Sequence, residues 1–210
     1  MKDEQPHDKQ EVPINERARY ILDGATGEAL DVAREVEELR KIAENPGKPI
    51  EERLEAYEDI IDSEVGDTAM VRARNIEREM GLRQIYLKFE GGNPTGTQKD
   101  RIAFAQAMDA LRRGYDAITV ATCGNYGAAV ALACSLGGLR CLIYIPDSFH
   151  TKRIEEMTGM GAEILRVSGF YENAVECSRQ RAREEEIYDA NPGGDNVVLQ
   201  LRAYGDRKSG

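Results

Sequence analysis

From Gly66 onward, segments with strand-like composition alternate with segments that have helical periodicity. The strand-like segments are short and rich in β-branched residues, and the segments between them repeat apolar residues at helical spacing. The predicted strands cover residues 85–89, 117–121, 141–145 and 162–167. One predicted helix begins at Gln98, and three others cover 128–134, 151–158 and 171–186. Short later elements cover 187–190 and 197–201. Such alternation is typical of an α/β fold with an open, mostly parallel sheet and helices on both faces.

Residues 1–63 differ in character from residues 64–210. Residues 1–20 are polar, and we expect them to be disordered or loosely packed. Two apolar stripes at helical spacing follow, separated by Asn45-Pro46-Gly47 and formed by Val32, Val36, Leu39 and Ala43 and then by Ile50, Leu54, Tyr57 and Ile61. The stripes predict a helical extension that packs on the main domain or lies just ahead of it, with a boundary near residue 63. A coiled-coil or dimerisation arm is the alternative, but the heptads are too few to favour it.

The segment EGGNPTGTQKDR at residues 90–101, between a predicted strand and a predicted helix, contains a lysine in an unusual position. Glycine, asparagine and proline are turn residues, and Thr97 with Asp100 resembles a capping box, so the helix is expected to begin at Gln98. Lys99 then lies in the first helical turn, where the helix dipole disfavours a cation. Because this favours the neutral amine, Lys99 is a candidate nucleophile for a carbonyl group. The alternative is a solvated surface lysine.

A second segment has the same order of strand, glycine-containing loop and helix. The strand at 117–121 is followed by Thr122-Cys123-Gly124-Asn125-Tyr126-Gly127 and then by a helix-prone run. Exposed amides at a helix N-terminus bind anions, although two glycines at this spacing are a weak signal and do not match the dinucleotide-binding fingerprint. Loops that follow parallel strands meet at the carboxyl edge of the sheet, where ligands of α/β proteins bind. We therefore expect both loops to emerge at that edge.

Residues 90–101 resemble the cofactor-lysine motif of the fold-type-II pyridoxal-phosphate enzymes, E-x-x-N-P-T-G-S-F-K-D-R, with Thr97 in place of Ser and Gln98 in place of the usual aromatic residue. Within that superfamily the chain is most similar to the threonine synthases. The resemblance runs from about Gly66 to the C-terminus and implies the tryptophan synthase β-like fold, with pyridoxal 5'-phosphate as the cofactor. It also implies that Lys99 binds the cofactor covalently and later moves protons on the substrate's carbon atoms.

In the same resemblance, residues 122–127 correspond to the family's S/T-x-G-N-x-x-A segment beside the cofactor ring. Asn125 would then hydrogen-bond the phenolic oxygen of the ring. The substrate carboxylate would be received by the other residues of the loop, Thr122, Cys123, Gly124, Tyr126 and Gly127.

The resemblance implies a lyase that converts O-phosphohomoserine and water to threonine and phosphate. A related enzyme with the same cofactor, such as a cysteate synthase, a cysteine synthase or a threonine dehydratase, is the first alternative. A degenerate, non-catalytic binding module is the second. A γ-phosphate substrate needs cationic ligands, and Arg101 and Lys152 are the nearest candidates in the sequence. Each such residue is more often a structural ion-pair partner.

The residues that would bind the cofactor's phosphate and pyridine nitrogen are expected beyond residue 210. In the family resemblance, residues 199–205 correspond to the crossing into a second domain. We therefore expect this chain to be a fragment that is inactive by itself. The implied partner is a small-molecule amino-acid substrate, and a homodimer is a possible state of the full-length protein.

Charge and residue usage argue against several other classes of function. With 28 Lys and Arg against 38 Asp and Glu, the net charge is −10, and there is no basic block that would bind a nucleic acid. The four cysteines lack metal-ligand spacing, and two histidines argue against a zinc site or a His-based triad. The apolar runs are too short to cross a bilayer, and the polar N-terminus lacks a signal-peptide region. We therefore expect a cytoplasmic protein without a membrane or nucleic-acid partner.

Overall fold

The computed structural model describes residues 32–122, 124–193, 196 and 199. The helices are α1 (Val32–Ala43), α2 (Ile50–Glu64), α3 (Arg74–Met80), α4 (Lys99–Arg112), α5 (Asn125–Gly137), α6 (Ile154–Gly159) and α7 (Tyr171–Glu185). The strands are β1 (Met70–Arg72), β2 (Tyr86–Lys88), β3 (Ala117–Ala121), β4 (Arg140–Pro146), β5 (Glu163–Val167) and β6 (Tyr188–Asp189). The polar lead predicted at residues 1–20 lies outside the described residues, as does all but Leu199 of the element predicted at 197–201.

Four parallel strands form the central sheet, in the order β5-β4-β3-β6. In the two middle strands, Ala117 pairs with Arg140 and Ala121 pairs with Tyr144. Every residue of β3 is buried, and so is every residue of β4 after Arg140. Parallel strands that are covered on both faces consist of nearly continuous apolar runs, and both segments have this pattern in the sequence.

Helices cover both faces of this sheet. Ile118 and Val120 of β3 belong to the larger apolar cluster, which includes residues of α2, α4 and α5. Ala117 and Ala121 belong to a smaller cluster that includes residues of α7. Residues of β3 alternate between the two clusters because successive side chains of a strand point to opposite faces of a sheet. The predicted α/β fold, with a mostly parallel sheet and helices on both faces, is therefore confirmed.

Helix α2 contributes to the larger cluster. Its Tyr57 is fully buried and stacks on Phe104 of α4, with 6.1 Å between the ring centroids. The Tyr57 hydroxyl donates a hydrogen bond of 2.9 Å to the Ala133 carbonyl of α5. The compact unit that carries the sheet starts at Leu39, whereas the sequence suggested a division near residue 63. The residues before Leu39 belong to a separate unit, of which only residues 32–38 are described.

The first predicted strand does not join the parallel sheet. β2 pairs with β1 in a separate antiparallel pair, in which Met70 lies opposite Lys88 and Arg72 lies opposite Tyr86. The expectation that both loops follow strands of one parallel sheet was therefore wrong. The side chains of β2 are largely exposed, whereas a central parallel strand must be covered on both faces.

Three element boundaries differ from the predictions near the candidate site. α4 begins at Lys99, although Gln98 already has helical dihedral angles, with φ −61° and ψ −7°. α5 begins at Asn125 instead of residue 128, so the second half of the predicted loop is the first helical turn. α6 begins at Ile154 instead of residue 151. None of the helices in the described part of the chain is long and apolar enough to cross a membrane.

Candidate active site

The turn before Lys99 is held by an ion pair between Glu90 and Arg101. Arg101 donates from Nε to one carboxylate oxygen of Glu90 at 2.8 Å and from Nη2 to the other at 3.1 Å, which is a bidentate geometry. Nη2 also donates to the Gly66 carbonyl at 2.8 Å. Only 9% of the Arg101 side chain is exposed. Arg101 is therefore a structural ion-pair partner, which was the alternative to its prediction as a phosphate ligand.

Asn93 and Thr68 extend this network. Asn93 donates from Nδ2 to the Glu90 carboxylate at 3.1 Å and accepts from the Gly66 amide at 3.1 Å. The Thr68 hydroxyl donates to the other carboxylate oxygen at 3.1 Å. The hydrogen bond from Arg101, with smaller contributions from Asn93 and Thr68, holds the pKa of Glu90 below its usual range. The segment around Gly66 is thereby tied to the turn that precedes Lys99.

A second set of bonds crosses the same turn between Thr95 and Asp100. The Thr95 amide donates to Asp100 Oδ2 at 3.0 Å and the Thr95 hydroxyl donates to Oδ1 at 2.7 Å. The Thr97 hydroxyl accepts from the Lys99 amide at 3.2 Å. Burial raises the pKa of Asp100, and hydrogen bonds from Thr95 and from the Thr97 amide oppose that shift. The predicted capping box is therefore not formed as such, because the N-cap residue of α4 is Gln98, which has no side-chain cap hydrogen bond, and the Thr97 hydroxyl binds the Lys99 amide instead of the Asp100 amide. Gly96, between Thr95 and Thr97, has a φ of +81°, which residues with a side chain rarely adopt.

Lys99 lies between the two networks. Asp100 is buried and Arg101 is nearly so, whereas Lys99 is half-buried. Because hydrogen bonds hold Asp100 and Arg101, the backbone that carries Lys99 is well anchored. The predicted position of Lys99 in the first turn of α4 is confirmed, while its reaction with a carbonyl group stays a prediction.

The loop that follows β3 is shorter than predicted. Thr122 is buried, and its amide donates to the Tyr144 carbonyl of β4 at 3.1 Å. A Cβ atom on Gly124 would meet nothing within 4 Å, so this residue borders open space. Cys123 lies outside the described residues. That these three residues bind a substrate carboxylate stays a prediction.

Tyr126 and Gly127, in the first turn of α5, have packing contacts. The Tyr126 hydroxyl donates to the Ala190 carbonyl at 2.8 Å, which ties α5 to the segment after β6. A Cβ atom on Gly127 would lie 2.6 Å from Met157 Sδ and 2.9 Å from Thr122 Cγ2. The close approach of α5 to these neighbours therefore requires glycine. The predicted contact of Tyr126 and Gly127 with a substrate is untested.

Arg153, which the sequence did not single out, joins the two turns. It lies in the segment between β4 and α6 and donates from Nη1 to Asn125 Oδ1 at 2.8 Å and from Nη2 to the Thr95 carbonyl at 2.8 Å. Arg153 could have been found from the topology of the sheet. It follows β4, which lies next to β3, and the segments that follow neighbouring parallel strands emerge together at the carboxyl edge. Arg153 thus brings the Lys99 turn to that edge although β2 lies outside the parallel sheet.

The two turns carry the amine of Lys99 and the side-chain amide of Asn125, and both turns border open space. A Cβ atom on Gly96, like one on Gly124, would meet nothing within 4 Å. Asn125 is exposed, and so is Lys152, the other predicted phosphate ligand. Within the described ranges, no group of three or more His, Cys, Asp or Glu side chains could hold a metal ion.

Known proteins match the part of the chain that contains both turns. Residues 61–205 match the family model described as pyridoxal-phosphate dependent enzyme. The threonine synthase of Methanocaldococcus jannaschii is 31% identical over 127 residues, which are 60% of this chain and 31% of that protein. Cysteine synthase B of Escherichia coli K12 is 33% identical over 145 residues, which are 67% of this chain and 46% of that protein.

A solved structure shares the arrangement of helices and strands. The cysteine synthase of Entamoeba histolytica superposes with a TM-score of 0.56 and 25% identity, over 62% of this chain and 42% of that chain. The chain spans about a third of the length of the threonine synthases that it matches.

Proposed function

The chain belongs to the family of pyridoxal-phosphate-dependent enzymes, and on that premise we propose that Lys99 is the residue that binds the cofactor covalently. The observation that carries this proposal is the anchored, half-buried position of Lys99 in the first turn of α4. Two other lysines lie near the turns in sequence, but Lys88 lies in β2, ahead of both turns, and Lys152 is exposed. Pyridoxal 5'-phosphate is the cofactor of the family, and its aldehyde is the carbonyl group that an amine can attack.

The side chains of the two turns fit two parts of this cofactor. Lys99 would hold its aldehyde carbon, and the amide of Asn125 would donate a hydrogen bond to its phenolic oxygen. When bound, pyridoxal phosphate accepts the electron pair of a bond that breaks at the substrate's α-carbon. Ligands for the cofactor's phosphate and pyridine nitrogen are assigned to no described residue.

Lys99 would also act as an acid and base. As an amine near the substrate, it would take a proton from the α-carbon and return a proton to a later carbon of the same chain. The anchoring of Asp100 and Arg101 would limit the movement of Lys99 between these positions. The substrate carboxylate would be held at residues 122–127, of which Gly124 borders open space.

For the overall reaction we propose that of threonine synthase, in which O-phosphohomoserine and water give threonine and phosphate. Threonine synthases are among the relatives that the chain matches, and the motif at residues 90–101 is similar to theirs. The leaving phosphate requires a cation. Because Glu90 occupies Arg101, Lys152 is the candidate that remains from the sequence.

Cysteine synthase is the second candidate. It is favoured by the Escherichia coli relative, by a Pseudomonas syringae cysteine synthase B of which the chain covers 92%, and by the Entamoeba histolytica structure. Because Arg101 binds Glu90, one of the two cationic ligands predicted for a γ-phosphate is no longer a candidate, which weakens the case for a γ-phosphate substrate.

Product analysis with the full-length protein separates these reactions. Release of phosphate from O-phosphohomoserine, with an equal amount of threonine, is the expected result. Formation of cysteine from phosphoserine and sulfide would favour the cysteine synthase reaction. Incorporation of sulfite into phosphoserine without threonine would favour a cysteate synthase. A protein without a cofactor absorption band would favour the non-catalytic alternative.

A further inference from the structure

Arg153 binds both turns of the candidate site at once. We propose that it is a positioning residue that orients the Asn125 amide toward the cofactor and couples Asn125 to the Lys99 turn. The proposal rests on the proposed function, since it concerns the same site. No part of it requires Arg153 to touch the substrate.

The guanidinium group of Arg153 is anchored on α6, the helix that Arg153 precedes, and reaches outward from there. Nε and Nη2 donate to the two carboxylate oxygens of Glu156, in the first turn of α6, at 2.8 and 3.0 Å. Nη1 donates to Asn125 Oδ1 and Nη2 to the Thr95 carbonyl, both at 2.8 Å. A planar group with donors in fixed directions can satisfy these acceptors together, and a lysine ammonium cannot reproduce that geometry.

The bond to Asn125 determines which end of its amide is available to a ligand. Arginine has donors only, so the Asn125 atom that faces it must be the carbonyl oxygen. The donor end, Nδ2, is then left for an acceptor. The phenolic oxygen of pyridoxal phosphate is such an acceptor, so Arg153 gives Asn125 the polarity that the proposed contact requires.

The bond to Thr95 links this orientation to Lys99. Thr95 is held by both carboxylate oxygens of Asp100, the residue that follows Lys99. A displacement of the Lys99 turn therefore moves an acceptor of Arg153, and a loss of Arg153 leaves the Thr95 carbonyl without this donor. The two groups proposed to touch the cofactor are thereby held in one hydrogen-bonded network.

A purely structural role, holding α6 in place, is the alternative. Arg53 is a matched control because it is also partly buried and donates to two backbone carbonyls, those of Ala43 at 2.8 Å and Gly137 at 3.1 Å. Gly137 is the last residue of α5, whereas Asn125 is the first. Arg53→Lys therefore disturbs a comparable set of bonds at the other end of the same helix.

Cofactor affinity of the full-length protein, measured by absorption titration, is the first test. Arg153→Lys is expected to weaken pyridoxal phosphate binding about tenfold, as for the loss of one charge-assisted hydrogen bond, and Arg53→Lys is expected to leave binding unchanged. Asn125→Asp keeps the acceptor for Arg153 but lacks the donor, so its affinity should fall as far as that of Asn125→Ala. If Arg153 acts through Asn125, the loss in the double variant R153K/N125A is well below the product of the single losses. Losses that simply multiply would overturn the proposal.

Hydrogen exchange of the cofactor-free protein is the second test. Arg153→Lys should speed amide exchange at residues 95–99 and 125–128 together, and Arg53→Lys should not. Glu156→Gln weakens the anchor of Arg153, should give the same pattern at lower amplitude, and replaces Arg153→Lys if that variant does not fold. A wild type that binds no pyridoxal phosphate would overturn the proposed function, and the exchange comparison would then decide the coupling alone. Unchanged exchange at both turns would overturn the role of Arg153.

Discussion

Most of the polar residues in the motif at residues 90–101 bind one another. Glu90, Asn93 and Arg101 form one network, and Thr95 with Asp100 forms another. Replacing any one of these residues leaves a partner without its hydrogen bond, which costs about 1–3 kcal/mol where the partner is buried. The length of the motif therefore reflects the support that the position of Lys99 requires.

The first prediction concerns the covalent attachment at Lys99. Borohydride reduction of the full-length protein with pyridoxal phosphate, followed by peptide mapping, should leave the label on Lys99, because its turn is anchored and open. Lys88 is the internal control, since it lies in β2, outside both turns. A label on Lys88 or on Lys152 would contradict the assignment.

The second prediction concerns the carboxylate of Asp100. Asp100→Asn should lower the free energy of unfolding by about 1–3 kcal/mol, because one of the two donors of Thr95 would then face an amide NH₂ group. Urea denaturation measures this change. Asp59→Asn, at an exposed position of α2, is the matched control and should change stability by less than about 0.5 kcal/mol. Equal effects of the two substitutions would show that the Thr95–Asp100 bonds do not stabilise the turn.

Among the elements, β2 shows how a strand can be recognised in the sequence while its partner is not. Its position agrees with the predicted strand at 85–89, but its neighbour is β1 and the pair is antiparallel. The charged residue Lys88 was the signal against a central parallel strand. The Glu90–Arg101 ion pair lies directly after β2 and connects this strand to α4. The two strands β1 and β2 are therefore attached to the main domain through this ion pair.

The third prediction concerns the pH dependence of that attachment. Arg101 lowers the pKa of Glu90 in the folded protein. The Glu90 carboxylate therefore contributes to stability at pH values above its ordinary pKa of 4.5, and this contribution is lost as the pH falls through the lower folded-state pKa. Glu90→Gln lacks this contribution. The difference in the free energy of unfolding between wild type and variant should therefore be largest at neutral pH and should shrink as the pH falls below 4.5. A difference that stays constant on acidification would assign the effect to packing instead of charge.

For the whole molecule, the larger apolar cluster joins α2 to the sheet domain. Tyr57 stacks on α4 and bonds to α5, so a helix that precedes the motifs by sequence is buried against the two helices that carry Lys99 and Asn125. The site and this helix therefore belong to one core, and we expect them to unfold together.

The fourth prediction tests that expectation at Tyr57. Tyr57→Ala should cost about 3–5 kcal/mol through the cavity it leaves, and Tyr57→Phe about 1 kcal/mol through the lost hydrogen bond. Hydrogen exchange should become faster in α2, α4 and β3 alike when Tyr57 is replaced by Ala. Tyr86→Phe, at a largely exposed position of β2, is the control and should have little effect. Faster exchange in α2 alone would favour an extension that lies ahead of the domain.

By itself, the sequence determined the kind of the longer elements, though not β1 or α3, the presence of helices on both faces of a parallel sheet, and the place of Lys99 at the start of a helix. These properties follow from periodicity, turn residues and capping, which act between residues close in the chain. Only the tertiary structure decided that β2 pairs with β1, that Arg101 forms an ion pair with Glu90, and that Arg153 donates to both Thr95 and Asn125. Such contacts join residues far apart in sequence, and no local pattern records them because each depends on where the whole chain brings its partners together.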